Sequence, residues 1–234
     1  MSAAMLPGFW TVIPAAGIGS RMRADRPKQY LQLAGKTVLE HTLACFLSHP
    51  QLQGLVVSLA GNDPYWSDLR CANDPRIQRA NGGSERADSV LAGLHRLSEL
   101  GARDEEWVLV HDAARPNLSR EDLDRLLVEL ADDPIGGLLA VPARDTLKRA
   151  GGNGRVLETI DRSVIWQAFT PQMFRLGALR DALAGALEAG AAVTDEASAL
   201  EWAGHSPRLI EGRSDNLKIT RPEDLQWLEQ RWRS

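Results

Sequence analysis

The sequence predicts an α/β fold: a mostly parallel central sheet flanked by helices, interrupted by a β-hairpin. Three observations lead there. Apolar runs of strand length recur at Phe9–Ile13, Leu55–Ala60 and Trp107–His111. Each is followed by a turn and then by apolar residues at helical spacing, a repeat that builds parallel sheets. The third observation is a break near 142–164, where two polar-rich extended pieces flank a glycine turn.

The first strand runs into Pro14–Lys28, P-A-A-G-I-G-S-R-M-R-A-D-R-P-K. Small alanines and glycines let the backbone bend tightly and approach a ligand closely. Arg21, Arg23, Arg26 and Lys28 follow, with only Asp25 against them. Such a stretch at a strand end either holds phosphates or is a structural turn with a solvated basic face. Two familiar phosphate motifs are excluded. Met22 stands where the dinucleotide fingerprint needs its third glycine, and Tyr30 where a P-loop ending in Gly35-Lys36-Thr37 needs its first.

Tyr30–Lys36 is a short extended piece ending in a turn, and Thr37–Leu47 carries a helix closed by His49-Pro50. His41 and His49 suit surface or packing roles. After Leu55–Ala60, Gly61-Asn62-Asp63-Pro64 makes a turn and a helix is expected through Leu69. Ile77–Ala80 is a short strand entering Asn81-Gly82-Gly83-Ser84-Glu85-Arg86. The following helix shows Val90, Leu91, Leu94, Leu97 and Leu100, and Ser84 or Ser89 lies where its N-terminus could offer a hydroxyl and free N–H groups.

Trp107–His111 ends in Asp112-Ala113-Ala114-Arg115-Pro116. An acid at the carboxyl end of a buried strand serves metal and phosphate chemistry in open sheets, or simply caps the next turn. Ser119 and Asp122 then open a helix bearing Leu123, Leu126, Leu127 and Leu130.

Gly136–Pro142 is a strand. Asp145–Arg149 and Arg155–Ile160 flank Gly151–Gly154 as a hairpin too polar to build its own core. It either docks on another subunit or folds onto its own edge. Trp166–Gln172 returns to the sheet, and helices follow over Leu176–Ala189 and from Thr194-Asp195-Glu196 to Gly204. Arg208–Gly212 is a late strand, and Thr220-Arg221-Pro222-Glu223 reads as a capping box for a last helix. No linker or repeat appears, so 1–234 is expected to be a single domain with 142–164 as the arm.

Composition narrows the function classes. A net charge of −4 argues against broad nucleic-acid binding, so any anion site is a local patch. Cys45 and Cys71 lack metal-ligand spacing and suit a reducing cytoplasm. No apolar run approaches the ~20 residues of a membrane span, and Met1–Pro7 lacks the features of a secretory signal.

Seven segments resemble the 2-C-methyl-D-erythritol 4-phosphate cytidylyltransferase family in order and spacing. They are P-A-A-G-I-G-S-R-M with P-K-Q-Y, G-G-S-E-R-A-D-S-V, V-H-D-A-A-R-P, R-D-T-L-K-R, T-P-Q-M-F, T-D-E-A-S and E-G-R-S-D-N-L-K-I-T. The resemblance covers about Val12 to Leu225. It implies a Rossmann-like nucleotidyltransferase fold, a homodimer, and transfer of CMP from CTP to a sugar-alcohol phosphate with Mg²⁺. A pentitol phosphate such as ribitol 5-phosphate is the alternative acceptor.

Residue roles follow from the resemblance alone. Arg21, Lys28 and Lys218 match the catalytic cations. Pro14, Ala15, Ala16, Gly17, Gly19, Gly83, Ser84 and Ser89 match the nucleotide site, although relatives can carry an acid in place of Ser84. Asp112 would serve Mg²⁺, directly or through water, or the substrate hydroxyls, with Asp215 a second candidate. The acceptor would be held by Arg115, Thr146, Arg162, Thr170 and Thr194 with Lys218, and Thr146 and Arg162 would reach the neighbour's site on the arm.

Overall fold

The apolar runs become the middle strands of one twisted sheet. In the computed structural model, which describes residues 6–17, 19, 22 and 24–233, the chain runs β1 (Phe9–Pro14), β2 (Gln32–Leu33), β3 (Lys36–Thr37), α1 (Val38–Leu47), β4 (Leu52–Leu59), β5 (Ile77–Asn81), α2 (Arg86–Glu99) and β6 (Trp107–Val110). It continues through α3 (Arg120–Leu130), β7 (Gly136–Pro142), β8 (Leu147–Ala150), β9 (Val156–Ile160), β10 (Trp166–Arg175), α4 (Leu176–Glu188), α5 (Glu196–Trp202), β11 (Arg208–Glu211) and α6 (Pro222–Arg233). The sheet order is β11-β7-β10-β6-β1-β4-β5. Neighbours pair in parallel except at β10, which runs antiparallel to both β6 and β7.

Side chains leave a strand alternately to its two faces, and the core divides accordingly. Phe9, Ile13, Leu55, Val57, Trp107 and Leu109 pack with α1 and α3 through Leu39, Leu43, Phe46, Leu123 and Leu127. Val12, Val56, Val108 and Val110 face the other way, onto α2, α4 and α5 through Val90, Leu94, Leu179, Leu183 and Leu200. Helices therefore cover both faces of the sheet. A third cluster joins Met22, Leu33 and Val38 to Ala114, Ile219 and Leu228, drawing the C-terminal segment against the loop after β1.

The strand order fixes where a ligand can enter. From β1 the chain moves through α1 to β4 on one side, while from β6 it moves through α3 to β7 on the other. The loops leaving β1 and β6 diverge, and open α/β sheets bind ligands in such a crevice outside the carboxyl ends. Ala15–Gly17 and His111–Asp112 occupy those ends.

Some local expectations change. The segment after Pro64 forms only a one-turn 3-10 helix, Trp66–Asp68, because Asp63 accepts the N–H groups of Tyr65 and Trp66 and the chain turns extended at Leu69. The acid that caps α6 is Asp224 rather than Glu223; it accepts the Thr220 hydroxyl and the N–H groups of Thr220 and Arg221 at 2.8 Å. β10 runs three residues past Gln172. The polar hairpin is present as the separate pair β8–β9. Val156 and Leu157 on it, and Val164 after it, are exposed.

Candidate active site

Gln29 shapes the loop after β1. Its amide donates to the carbonyls of Ala15 (2.7 Å) and Gly17 (3.0 Å), holding the bend open toward the crevice. The loop after β5 lies against it. A Cβ at Gly82 would fall 2.5 Å from that of Ala16, so the two turns approach too closely for a side chain there.

The entrance to α2 is built from side chains that the local pattern only half identified. Glu85 occupies the N-cap position, and its N–H is accepted by Asp88 at 3.0 Å. The Ser84 hydroxyl is directed to Asp88 (2.9 Å) instead of capping the helix. Ser89 is buried, donating to the Glu85 carbonyl and accepting the N–H of Gly83. A Cβ at Gly83 would lie 2.2 Å from Asp88 Cβ. Gly83→Ala should therefore displace this loop and weaken binding of a ligand held against it by roughly tenfold or more, since misplacement of about 1 Å is costly; a binding titration with the nucleotide that the resemblance implies measures it.

Together these loops enclose a cleft of about 290 Å³ lined by Pro14, Ala15, Ala16, Gly17, Gly19, Lys28, Gly83, Ser84, Ser89, Asp112 and Lys218, with Gln29 and Arg86 among the remainder. An adjoining cavity of about 200 Å³ is lined by Arg115, Thr170, Gln172, Thr194 and Asp195. Arg86, Asp112 and Lys218 line both and form the wall between them.

Asp112, 7% exposed, organises that wall. Arg86 Nε reaches its Oδ1 at 3.0 Å, while Lys218 Nζ and Arg115 Nε reach Oδ2 at 2.9 and 3.3 Å. Burial alone would raise its pKa, but Arg86, Lys218 and Arg115 outweigh burial and hold the carboxyl far below the usual range. Backbone contacts fix the cations in turn. Arg115 donates to the Asn216 carbonyl (2.7 Å), Ile219 N–H to Ala114 (2.8 Å), and Lys28 Nζ to the Ile219 carbonyl (2.8 Å).

Behind Asp112, His111 and Thr170 form a directional chain. His111 Nε2 faces the Arg115 carbonyl at 2.9 Å, which assigns that nitrogen the proton. Nδ1 is then free to accept the Thr170 hydroxyl at 3.0 Å, and Thr170 Oγ1 accepts the Asp112 N–H at 3.1 Å. Thr170 thus borders the second cavity while its hydroxyl fixes the Asp112 backbone. Burial lowers the His111 pKa to about 4. An unfolded chain takes a proton near pH 6.5 that this site refuses until about 4, so His111 makes stability fall as pH drops through that window. Ring ¹⁵N shifts should remain those of neutral imidazole at pH 5.

Other sequence-named residues lie elsewhere. Asp215 is held by Arg213 and Arg231, each at 2.7 Å, and lines neither cavity. Thr146 lies just before β8 and Arg162 just after β9, so the arm carries both outside these cavities. Arg21 and Arg23 lie outside the described residues. Nothing in the sequence alone singles out Gln29, Arg86, His111, Gln172 or Glu196. Their signal was polar identity inside the matched segments, with nothing local to show which were buried.

A divalent cation suits the residues present, though not as a protein-caged ion. Among the described residues no group of three or more His, Cys, Asp or Glu could hold a metal. Asp112 offers one carboxylate beside the cleft, and Mg²⁺ commonly uses one or two carboxylates together with substrate phosphates.

Fold and site define an open-sheet α/β protein with a glycine-lined cleft at its switch point and a second cavity beside it, Arg86, Asp112 and Lys218 lining both. The model of the 2-C-methyl-D-erythritol 4-phosphate cytidylyltransferase family matches residues 9–232. A Pseudomonas fluorescens (strain SBW25) protein of that name is 74% identical over 227 residues, covering 97% of each chain. The crystal structure of a 4-diphosphocytidyl-2C-methyl-D-erythritol synthase superposes with a TM-score of 0.83 at 41% identity, covering 96% of this chain and 98% of the other. The Francisella tularensis 2-C-methyl-D-erythritol 4-phosphate cytidylyltransferase gives 0.81 at 37% identity, covering 97% and 100%. The chain belongs to the 2-C-methyl-D-erythritol 4-phosphate cytidylyltransferase family.

Proposed function

We propose that this protein transfers CMP from CTP to 2-C-methyl-D-erythritol 4-phosphate, forming 4-diphosphocytidyl-2-C-methyl-D-erythritol and pyrophosphate. The observation that carries the reading is the shared wall. Lys218, Asp112 and Arg86 stand between a glycine-lined cleft bearing Lys28 and a cavity bearing Arg115 and Thr194. Two anionic substrates brought together need this arrangement, because their mutual repulsion must be neutralised where they meet.

Ala15, Ala16, Gly83, Ser84 and Ser89 are assigned to the cytosine end, with Pro14, Gly17 and Gly19 shaping the backbone around the triphosphate. An acceptor phosphate oxygen attacks the α-phosphorus in line. The new P–O bond forms as the bond to pyrophosphate breaks, and its electron pair leaves with pyrophosphate. Lys28, with Arg21, neutralises the developing charge, while Lys218 orients the attacking phosphate. Arg115, Thr170 and Thr194 border the acceptor, and Asp215 supports from outside through its arginine pairs.

Mg²⁺ is assigned to the Asp112 side of the triphosphate, where it would supply further charge neutralisation. Homodimerisation through residues 142–164 belongs to the same proposal, with the arm's Thr146 and Arg162 completing a neighbour's acceptor cavity. Its exposed Val156, Leu157 and Val164 support the idea of a covering partner. Mixing an inactive arm variant (Thr146→Ala with Arg162→Ala) with inactive Lys28→Ala should restore partial activity after subunit exchange. No restored turnover contradicts site sharing. A cytoplasmic setting is consistent with the two free cysteines and with the finding that, among the described residues, no helix is long and apolar enough to cross a membrane.

Acceptor choice is tested by following pyrophosphate release from CTP with each polyol phosphate separately. Turnover with methylerythritol phosphate and little with ribitol 5-phosphate is expected; the reverse preference overturns the assignment.

A further inference from the structure

Glu196 lines neither cavity, yet it is only 2% exposed and directly holds an arginine that lines both. Arg86 Nη1 meets Glu196 Oε1 at 2.6 Å and Nη2 meets Oε2 at 3.1 Å, while Nε of the same guanidinium meets Asp112 Oδ1 at 3.0 Å. Three donors of one planar group are thus committed to two carboxylates. A lysine has no such fork, so the arrangement depends on arginine.

Placement gives the pair its meaning. Arg86 is the first residue of α2, directly after the Gly83–Glu85 turn, and Glu196 is the first residue of α5, directly after Thr194 and Asp195. A single guanidinium therefore ties the helix entrance behind one cavity directly to the helix entrance behind the other and, with its third donor, to the acid that stands between the cavities. We infer that Glu196 is a positioning residue for the transfer, acting through Arg86 to hold Asp112, and with it Lys218, between the two substrates. The inference rests on the cytidylyl-transfer reading of the site.

A purely architectural role for Glu196 is less suited to the surroundings. The start of α5 has separate anchors. Gln172 Nε2 donates to Asp195 Oδ2 (2.9 Å), Ala197 N–H donates to Gln172 Oε1 (2.8 Å), and Ser198 N–H donates to Asp195 Oδ1 (3.0 Å). With Glu196 neutralised these remain, and what is lost is the constraint on the direction of Arg86. A released Arg86 keeps its positive charge at the cleft, so nucleotide binding should not weaken even though alignment does.

The test is a double-mutant cycle in the full chain with CTP and methylerythritol phosphate. Glu196→Gln should lower kcat by about tenfold or more while the KM for CTP stays within about threefold or decreases. Arg86→Lys should lower kcat at least as much, and the double variant should be no worse than Arg86→Lys alone within about threefold. Unchanged kcat in folded Glu196→Gln overturns the inference, as do single-variant effects that multiply in the double variant or a kcat loss matched by a rise in the CTP KM. Should Glu196→Gln fail to fold, Glu196→Asp keeps the charge and shortens the reach. Reduced kcat in that folded variant supports positioning, and wild-type kcat overturns it. Wild-type protein that is itself inactive with both substrates contradicts the functional reading instead, so the two failures are distinguishable.

Discussion

Lys28→Ala should lower kcat by about 10²–10³, the scale lost when one preorganised donor to transition-state charge is removed. The lysine follows the glycine turn that the sequence left open between phosphate holding and a solvated basic face, and its side chain packs against Gly19, where an added Cβ would lie 2.9 Å from Lys28 Cγ. Nζ reaches the Ile219 carbonyl, one residue beyond Lys218, so the two lysines approach the cleft on adjoining segments. Losing that charge-assisted hydrogen bond should cost about 1.5–3 kcal/mol of stability. The expected pattern is thus a large kinetic defect in a protein that still unfolds cooperatively at a moderately lowered midpoint, checked by turnover and urea unfolding on one preparation. Wild-type turnover removes Lys28 from the mechanism.

Asp112→Asn should damage stability and catalysis together. The substitution preserves shape but removes the negative charge facing Arg86, Arg115 and Lys218. Arg86 keeps Glu196, but Arg115 and Lys218 lose this carboxylate; breaking a buried ion pair from one side costs about 3–5 kcal/mol, and the amide NH₂ cannot accept from any of the cations. Turnover should fall by about 10² or more as Lys218 and Arg115 lose alignment. The pH dependence separates charge from packing. Arg86, Lys218 and Arg115 overcome burial to depress the folded-state pKa of Asp112. A depressed carboxyl stabilises above its unfolded pKa of about 3.9 and loses that contribution as pH falls below it. The stability gap between wild type and Asp112→Asn should therefore be widest near neutrality and measurably smaller at pH 3, closing only as pH approaches the depressed folded value. An equal gap at both values points to packing alone.

Much of the fold was legible because strand–turn–helix periodicity is a local property. Phe9–Ile13, Leu55–Ala60 and Trp107–His111 announced buried strands, and the polar pieces around Gly151–Gly154 announced a hairpin. Strand order was not legible, since nothing local places β6 beside β1 and β10 between β6 and β7. That order creates the switch point and makes Ala15 and Asp112 neighbours. The nucleotide-side residues were named through matched segments, and the structure gathers the described ones around one cleft. The long-range polar network escaped because Arg86 and Glu196 are 110 residues apart, and each alone reads as an ordinary charge at a helix start. Capping went astray at Glu223 for a smaller reason, as Asp224 next to it reaches the same N–H groups.

The most direct test follows the phosphorus. Purified protein with Mg²⁺ and methylerythritol phosphate would be given CTP labelled either at the α- or at the γ-phosphate. The α-label should appear in the diphosphocytidyl polyol and the γ-label in released pyrophosphate, with both products absent when the acceptor is withheld. A γ-label found on the polyol, or no α-label transferred, contradicts cytidylyl transfer at this site.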